Sequence, residues 1–151
     1  MPTPSFSAKP RPASIRVRFG RRAVLLVGDA EHAEEEGLLQ GDPAQLRADF
    51  LKVGHHGSAT SSSAAFVAAV GAPVAAISCG VRNRFGHPHP NALRTLMSRS
   101  SVLRTDRNGS IRWATDGTTV GLVTAGQGEV DLAGPPDPPL FSPGEGQAPG
   151  L

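Results

Sequence analysis

The stretch Ala48-Asp49-Phe50-Leu51-Lys52-Val53-Gly54-His55-His56-Gly57-Ser58 decides the fold, because it places two adjacent histidines directly behind an apolar run. Residues 48–53 predict a β-strand, and the glycines on both sides of the histidines predict a tight loop behind it. Gly57 and Ser58 allow backbone N–H groups to approach an anion closely. The stretch therefore predicts a strand that ends in a loop suited to binding a ligand.

The same pattern, an apolar run followed by polar residues, occurs on both sides of this stretch. Alternating residues predict a half-buried strand, and continuous apolar runs predict buried strands. Helices are predicted where cap residues or a proline precede apolar residues at helical spacing. The predicted strands are 15–19, 23–27, 48–53, 74–79, 102–105, 111–115 and 120–123, and the predicted helices are 31–40, one behind a cap at 61–63 and one from Pro90. Residues 106–109 are expected to form a turn between two strands. This order predicts an α/β fold with short connections.

Both ends of the chain are rich in proline and glycine. The 151 residues include 18 Gly and 14 Pro, and much of this content lies at the ends. Such segments bury too little apolar surface to offset the entropy lost on folding. We therefore expect residues 1–13 and 125–151 to be disordered and residues 14–124 to form one domain.

The charges are distributed unevenly along the chain. The net charge of +2 is too small to imply a partner, but residues 1–28 carry six basic side chains and no acid, and residues 82–112 carry seven arginines against the single acid Asp106. This pattern suits contact with a polyanion, although arginine-rich strands are more often solvated surfaces. Charge alone leaves both interpretations open.

Cysteine content and hydropathy exclude several classes of protein. Cys79 is the only cysteine, which rules out a disulfide within the chain and a cysteine-based zinc site. Its place in an apolar run favours a buried structural thiol. No apolar stretch reaches the roughly 20 residues that a membrane span needs. The sequence by itself predicts a soluble chain, cytoplasmic if expressed alone.

Ionisable residues follow three successive predicted strands. Asp29 follows the second strand, His55 and His56 follow the third, and His87 and His89 lie behind the fourth. Ligands usually bind at this edge of an α/β sheet, and carboxylate with imidazole suits zinc, manganese or iron. Simpler readings remain open: Asp29 as a helix N-cap, and the histidines as solvated loop residues.

These residues belong to a set of motifs that resembles a known family. Together they are similar to the C-terminal part of the metallo-β-lactamase-like domain of ComEC/Rec2-type DNA internalisation (competence) proteins. The resemblance covers about residues 14–117. The matching runs, in order, are Leu25-Leu26-Val27-Gly28-Asp29-Ala30-Glu31, the histidine-pair stretch quoted above, Ile77-Ser78-Cys79-Gly80, Asn83-Arg84-Phe85-Gly86-His87-Pro88-His89 and Arg104-Thr105-Asp106 with Gly109.

The resemblance implies a fold and a set of functional residues. It implies the C-terminal half of an αββα sandwich, with a divalent metal, zinc or manganese, at the sheet edge. Asp29 and His55 are the implied metal ligands, and Asp29 and His56 the implied catalytic residues. The implied contacts to substrate phosphate are His56, Ser58, Lys52, Asn83, His87 and His89.

The sequence also departs from the family pattern. The His-x-His-x-Asp-His cluster of the first half of the domain is absent, no histidine precedes His32, and the membrane region of full-length relatives is absent. We therefore expect an incomplete fragment of a metal-dependent phosphodiesterase or nuclease associated with DNA uptake, inactive alone. Its expected partners are DNA, the missing N-terminal half and the membrane channel region, with no small-molecule cofactor. Half of a sandwich is expected to leave an apolar sheet face uncovered. The alternatives are a non-catalytic nucleic-acid-binding or assembly module and a degenerate gene product.

Overall fold

Seven strands and four α-helices make up residues 14–125, the part of the chain that this computed structural model describes. Short 3-10 turns at Pro43–Gln45 and Gly54–Gly57 flank the third strand. The strands are β1 (Ile15–Phe19), β2 (Arg22–Leu26), β3 (Phe50–Lys52), β4 (Val74–Ile77), β5 (Ser101–Arg104), β6 (Ile111–Thr115) and β7 (Val120–Thr124). The helices are α1 (His32–Leu39), α2 (Ala64–Val70), α3 (Pro90–Met97) and the single turn α4 (Thr105–Asn108).

The first five strands form one sheet in the order β1-β2-β3-β4-β5. β1 is antiparallel to β2, whereas β2 to β5 are parallel, with Leu25, Leu51, Ala75 and Val102 side by side. Each parallel step crosses over through a helix. Because such crossovers are right-handed and the strand order is sequential, the helices α1, α2 and α3 lie on one face of the sheet.

The hydrophobic core lies between this sheet and the helices. Alternate strand residues point toward the helices, where they meet the apolar side of α2 and Leu96 of α3. Ser63 caps α2 by accepting the backbone N–H of Phe66, and Pro90 occupies the first turn of α3, as the sequence predicts. The most deeply buried core side chains are Leu25, Val27, Leu51, Val53, Phe66, Val67, Val70, Ala75, Ile77 and Leu96.

The opposite face of the sheet carries the antiparallel pair β6-β7. Phe50, which points away from the helices, packs against Trp113 with ring centroids 5.9 Å apart. The two hairpin turns meet at Gly20 and Gly117, where Arg21 N–H donates to the Gly117 carbonyl. A Cβ on Gly20 would lie 2.6 Å from that carbonyl oxygen, so the contact needs glycine. Helices, sheet and second sheet form the layers expected for a metallo-β-lactamase-like fold.

One end of this second face is left open. Ile15, Val17 and Phe19 on β1 are 54%, 53% and 60% exposed. Ile15 and Val17 pair with Leu26 and Val24 of β2, so the apolar surface continues inward. The uncovered apolar face expected from the sequence is therefore present among the described residues.

The structure corrects the connection that follows β5. Residues 106–109 do not join two strands of a hairpin, because residues 105–108 form the helical turn α4 between the two sheets. Asn108 accepts the backbone N–H of Arg104 and Gly109 has a φ of 66°, which closes the turn. The segments expected to be disordered, 1–13 and 125–151, lie outside the described residues except for Ala125. Between residues 14 and 125 no helix is long and apolar enough to cross a membrane.

Candidate functional site

The carboxyl ends of the parallel strands bring the predicted site residues to one edge of the sheet. Asp29 follows β2, His55 and His56 follow β3, and the loop that carries His87 and His89 follows β4. His55 N–H donates to the Gly28 carbonyl, and His89 N–H donates to the Gly57 carbonyl. These bonds join the three loops. The structure therefore brings the predicted residues to one edge of the sheet, and their roles stay a prediction.

The histidine pair lies in an unusual backbone conformation. His55 and His56 have φ values of 44° and 54°, in the left-handed region that non-glycine residues rarely adopt. Each such residue costs of order 1–3 kcal/mol and persists only when its surroundings hold it. The restraint here is visible in the ring contacts, because Nδ1 of His55 lies 3.0 Å from Glu31 Oε1 and Nδ1 of His56 lies 2.7 Å from the Ser78 carbonyl oxygen.

These contacts determine which ring nitrogens are available. A carboxylate and a carbonyl oxygen only accept hydrogen bonds, so Nδ1 of both His55 and His56 carries the proton. In the neutral form of either ring, Nε2 then keeps a lone pair. This is the state in which imidazole binds metal ions, with the other nitrogen held by a carboxylate or carbonyl.

Asp29 lies at the same edge of the sheet and is exposed to solvent. Its carboxylate is 72% exposed, and Oδ1 lies 4.0 Å from Nε2 of His56. The residue that caps α1 is Glu31, so the alternative reading of Asp29 as the helix N-cap is wrong. The structure thus sets the carboxylate of Asp29 opposite His56, and His55 opposite Glu31.

His87 adds a third imidazole to the cluster. Its ring centroid lies 5.8 Å from that of His55, and its Nδ1 is buried without a hydrogen-bond partner. Burial lowers the pKa of His87, and the neighbouring His55, His56 and His89 lower it further. A buried nitrogen without a hydrogen-bond partner, on a ring whose lowered pKa keeps it neutral, is suited to bind a metal ion.

The donor chemistry of this edge fits a divalent metal, but its ligand count does not. Two Nε2 atoms, the orphaned nitrogen of His87 and the carboxylate of Asp29 are the donors that zinc and manganese accept. Within residues 14–125, however, no group of three or more such side chains is arranged to hold an ion. The described residues therefore offer donor atoms of the right kind but no complete metal site.

Two predicted phosphate contacts, Ser58 and Asn83, form hydrogen bonds within their own loops. Ser58 is 7% exposed and its hydroxyl bonds to Thr60, both to the side chain and to the backbone N–H. Both amide hydrogens of Asn83 are used, on the carbonyls of Gly80 and His87, and its oxygen accepts the His87 N–H. These bonds favour a structural role over the predicted contact.

The other two predicted contacts stay closer to the surface. Lys52 is partly exposed, and its partners Leu26 and Ala76 in the sheet show that it points away from the helices. His89 caps α3, with Nδ1 accepting the backbone N–H of Asn91 at 3.2 Å. Contact of either residue with substrate remains a prediction.

Sequence reasoning missed Glu31. Besides its bond to His55, its Oε1 accepts the hydroxyl of Thr60 at 2.9 Å, so the carboxylate joins the start of α1 to the loop behind the histidines. Glu31 stands two residues after Asp29 in the quoted motif, where it resembled an ordinary helix-start residue. Only its distance to a ring 24 residues away shows its role.

A second network fixes the ends of β4 and β5. Arg104 forms two hydrogen bonds to Asp106, of 2.9 and 2.6 Å, and Thr105 bonds to both backbone groups of Cys79. The hydrogen bonds from Arg104 lower the pKa of Asp106. Burial raises the pKa of the Cys79 thiol, which donates to Asp106, so Cys79 is a protonated structural thiol.

Comparison with known proteins agrees with this architecture. Residues 9–81 match the model of the metallo-beta-lactamase superfamily. The chain is 41% identical to ComE operon protein 3 of Bacillus subtilis over 95 residues, which is 62% of this chain and 12% of that protein. It is 35% identical to competence protein ComA of Neisseria gonorrhoeae over 100 residues, 66% of this chain and 14% of that protein.

A third relative is recombination protein 2 of Haemophilus influenzae, 38% identical over 99 residues, 65% of this chain and 12% of that protein. The match thus spans only 12–14% of the length of these three relatives. No solved structure matches the chain significantly. The matched segment and these relatives together show a chain with a metallo-β-lactamase-like fold that is related to the ComEC/Rec2 family of competence proteins.

Proposed function

We propose that Asp29, His55 and His56 form one part of a metal-dependent phosphodiesterase site that acts on DNA during its uptake. The observation that carries this proposal is the way in which the two histidine rings are held. Both rings are held through Nδ1, by Glu31 and by the Ser78 carbonyl, so Nε2 is the nitrogen of each ring that remains for a ligand. Strained backbone of this kind occurs mainly at functional sites.

The residues take distinct roles in this proposal. Asp29 and His55 hold the metal ion, zinc or manganese, and His56, opposite Asp29, donates to the phosphate from Nε2 when that nitrogen carries a proton. His87 and His89 lie on the substrate side, together with Lys52. A divalent ion supplies Lewis acidity and lowers the pKa of a coordinated water. Glu31 keeps His55 in the tautomer that leaves Nε2 available.

The biological context comes from the names of the relatives. One is named for competence, one for the ComE operon and one for recombination, which supports a role of this chain in DNA uptake. The matched segment is a small share of each relative, so the activity of the whole proteins is extended to this chain only as a proposal.

The described residues hold too few ligands for activity on their own. Catalytic zinc sites use three protein ligands and keep one position open. The described residues offer no group of three, so a bound ion would be weakly held and poorly placed. The remaining ligands would come from a polypeptide equivalent to the N-terminal half of the domain.

The second candidate, a nucleic-acid-binding module that uses the basic strands, is less well supported. The arginines of β1 and β2 are engaged within the protein. Arg16 donates to the Arg47 carbonyl, Arg18 to the Gly20 carbonyl, and Arg22 to the Thr118 carbonyl and to Asp49. These hydrogen bonds indicate a structural role for the three arginines and not DNA binding, which favours the hydrolase proposal.

A nuclease assay with manganese or zinc tests the proposal. The chain alone is expected to cut single- and double-stranded DNA no faster than background. Addition of a separately expressed N-terminal half from a close relative, with the His-x-His-x-Asp-His loop, is expected to give chelator-sensitive cleavage. Asp29→Ala should abolish that cleavage, and His55→Ala or His56→Ala should reduce it strongly.

His32→Ala is the matched control, because His32 is an exposed histidine at the start of α1, and it should cut like the wild type. Chelator-sensitive cleavage by the chain alone, lost in Asp29→Ala, would show that the site is complete without a second polypeptide. Failure of the mixture to cut would favour a non-catalytic module or a degenerate gene product.

A further inference from the structure

An exposed aromatic ring lies beside the imidazole cluster. Phe85, in the loop between β4 and α3, is 74% exposed, and its ring lies 6.0 Å from that of His87 with 16° between the planes. The His87 ring in turn lies 5.8 Å from that of His55. Three rings therefore lead from solvent to the histidine pair.

Exposure of one phenylalanine is ordinary and proves nothing by itself. The loop around Phe85, however, is tightly held, because the Asn83 side chain bonds to the Gly80 and His87 carbonyls and accepts the His87 N–H. The loop thus holds the Phe85 ring in a defined, solvent-exposed position. The ring face that does not contact His87 is accessible to another planar group.

The loop itself carries only positive charges. Arg82 and Arg84 are exposed on either side of Asn83, and residues 50–105 contain no aspartate or glutamate at all. An aromatic face next to arginines is the combination with which proteins bind unpaired bases of a nucleic-acid strand. In a duplex both faces of each base are covered by neighbours, so the ring can stack only on a base that has left the helix.

We propose that Phe85 is a stacking platform for one unpaired nucleobase of a DNA strand, with Arg82 and Arg84 on its phosphates. The bound base would extend the stack of the Phe85 ring on the His87 ring. The phosphate next to that base would then lie toward His55 and His56. This inference rests on the proposed function, because it specifies the form of strand that the same site receives.

Binding is measured with the full chain in chelator, so that the result does not depend on metal or cleavage. The probe is a short fluorescein-labelled oligothymidylate, followed by fluorescence anisotropy at low salt. Phe85→Ala should weaken binding roughly 5- to 150-fold, and Phe85→Trp should bind at least as tightly as the wild type. Val81→Ala, in the same loop and 78% exposed, is the control and should leave binding unchanged.

Three further probes isolate the stacking contribution. An abasic strand with the same phosphates, and a blunt duplex, should bind Phe85→Ala and wild type equally. Arg84→Ala should weaken binding to both the abasic strand and the oligothymidylate and reduce the salt dependence. A ribo-oligonucleotide should bind no more tightly than the DNA strand.

The proposal is contradicted if Phe85→Ala binds like the wild type, if Val81→Ala weakens binding equally, or if the abasic strand shows the same loss. Tighter binding of the ribo-oligonucleotide would contradict DNA as the strand. Absence of binding by the wild type would also overturn it. Failure of the nuclease mixture with normal Phe85-dependent binding would instead reject only the catalytic proposal.

Discussion

At the scale of single residues, Glu31 shows how the site is prepared before any ligand binds. Its carboxylate accepts hydrogen bonds from Nδ1 of His55 and from the hydroxyl of Thr60. The same residue caps the start of α1. A neutral imidazole in water exchanges between two tautomers, but a carboxylate acceptor at Nδ1 selects the one that leaves Nε2 unprotonated. One residue thereby couples helix, loop and ring orientation.

Replacement of Glu31 tests this coupling without any metal. In Glu31→Ala the His55 ring loses its acceptor, so both tautomers should be populated. Long-range imidazole ¹⁵N NMR at a pH where His55 is neutral distinguishes the two forms, and the wild type should show protonated Nδ1. Glu36→Ala, an exposed glutamate on the same helix, should behave like the wild type. An unchanged His55 tautomer in Glu31→Ala would mean that the loop backbone alone fixes the ring.

At the scale of elements, the ends of β4 and β5 are joined by the Arg104–Asp106 pair and by Thr105. The two side chains of the pair are 16% and 11% exposed, so water screens them little. Thr105 bonds to both the N–H and the carbonyl of Cys79, which extends the β4-β5 pairing past the last strand residue. The loop that carries Phe85 and His87 begins directly behind this junction.

The pair predicts a specific dependence of stability on pH. The hydrogen bonds from Arg104 lower the pKa of Asp106 in the folded state. The stability contributed by this pair is therefore complete above the unfolded pKa of about 4, and is lost as pH falls through the folded value. Asp106→Asn should lower the free energy of unfolding at pH 7 by about 1.5–3 kcal/mol.

Below pH 4 the difference between Asp106→Asn and the wild type should shrink. Urea unfolding followed by circular dichroism at several pH values measures both effects, and Glu36→Gln serves as an exposed-acid control. A difference between Asp106→Asn and the wild type that stays constant from pH 7 to pH 3 would reject the assignment.

Sequence patterns predicted the elements well where the cause is local. The alternation at Ile15–Phe19, the serine cap of α2 and Pro90 at the start of α3 all act within a few residues, and the strand and both helix starts were confirmed. The predicted half-burial of that strand was wrong, because its apolar side chains are more than half exposed. The hairpin turn predicted after β5 was wrong, because β5 pairs with β4 and β6 pairs with β7. The local sequence does not determine which strands pair. The hydrogen bonds that Ser58, Asn83 and Glu31 form could likewise not be predicted, because they depend on contacts that exist only in the folded chain.

At the scale of the whole molecule, helices cover one face of the sheet, while the elements of residues 14–125 cover the other face only in part. The pair β6-β7 packs over Phe50, and beside it Ile15, Val17 and Phe19 remain more than half exposed. Apolar surface removed from water stabilises an association by roughly 25 cal/mol per Å². An open apolar face of this kind therefore favours contact with another sheet or with a second copy of the chain.

We expect the isolated chain to self-associate through this face. The double variant Val17→Lys with Phe19→Lys should sediment as a monomer at concentrations where the wild type associates, with little change in its thermal midpoint. Met97→Lys, 66% exposed on the helical side, is the matched control and should associate like the wild type. A wild type that remains monomeric at all concentrations would count against the open-face account.

The central claim is that Asp29, His55 and His56 form part of a metal site, and titration of Mn²⁺ into ¹⁵N-labelled protein tests it most directly. Paramagnetic broadening detects even weak binding and reports where the ion spends its time. The signals of the two histidine rings and of the backbone at Asp29 should broaden first, and this preference should disappear in Asp29→Ala. Broadening that begins elsewhere in the chain, or that is the same in wild type and Asp29→Ala, would contradict the claim.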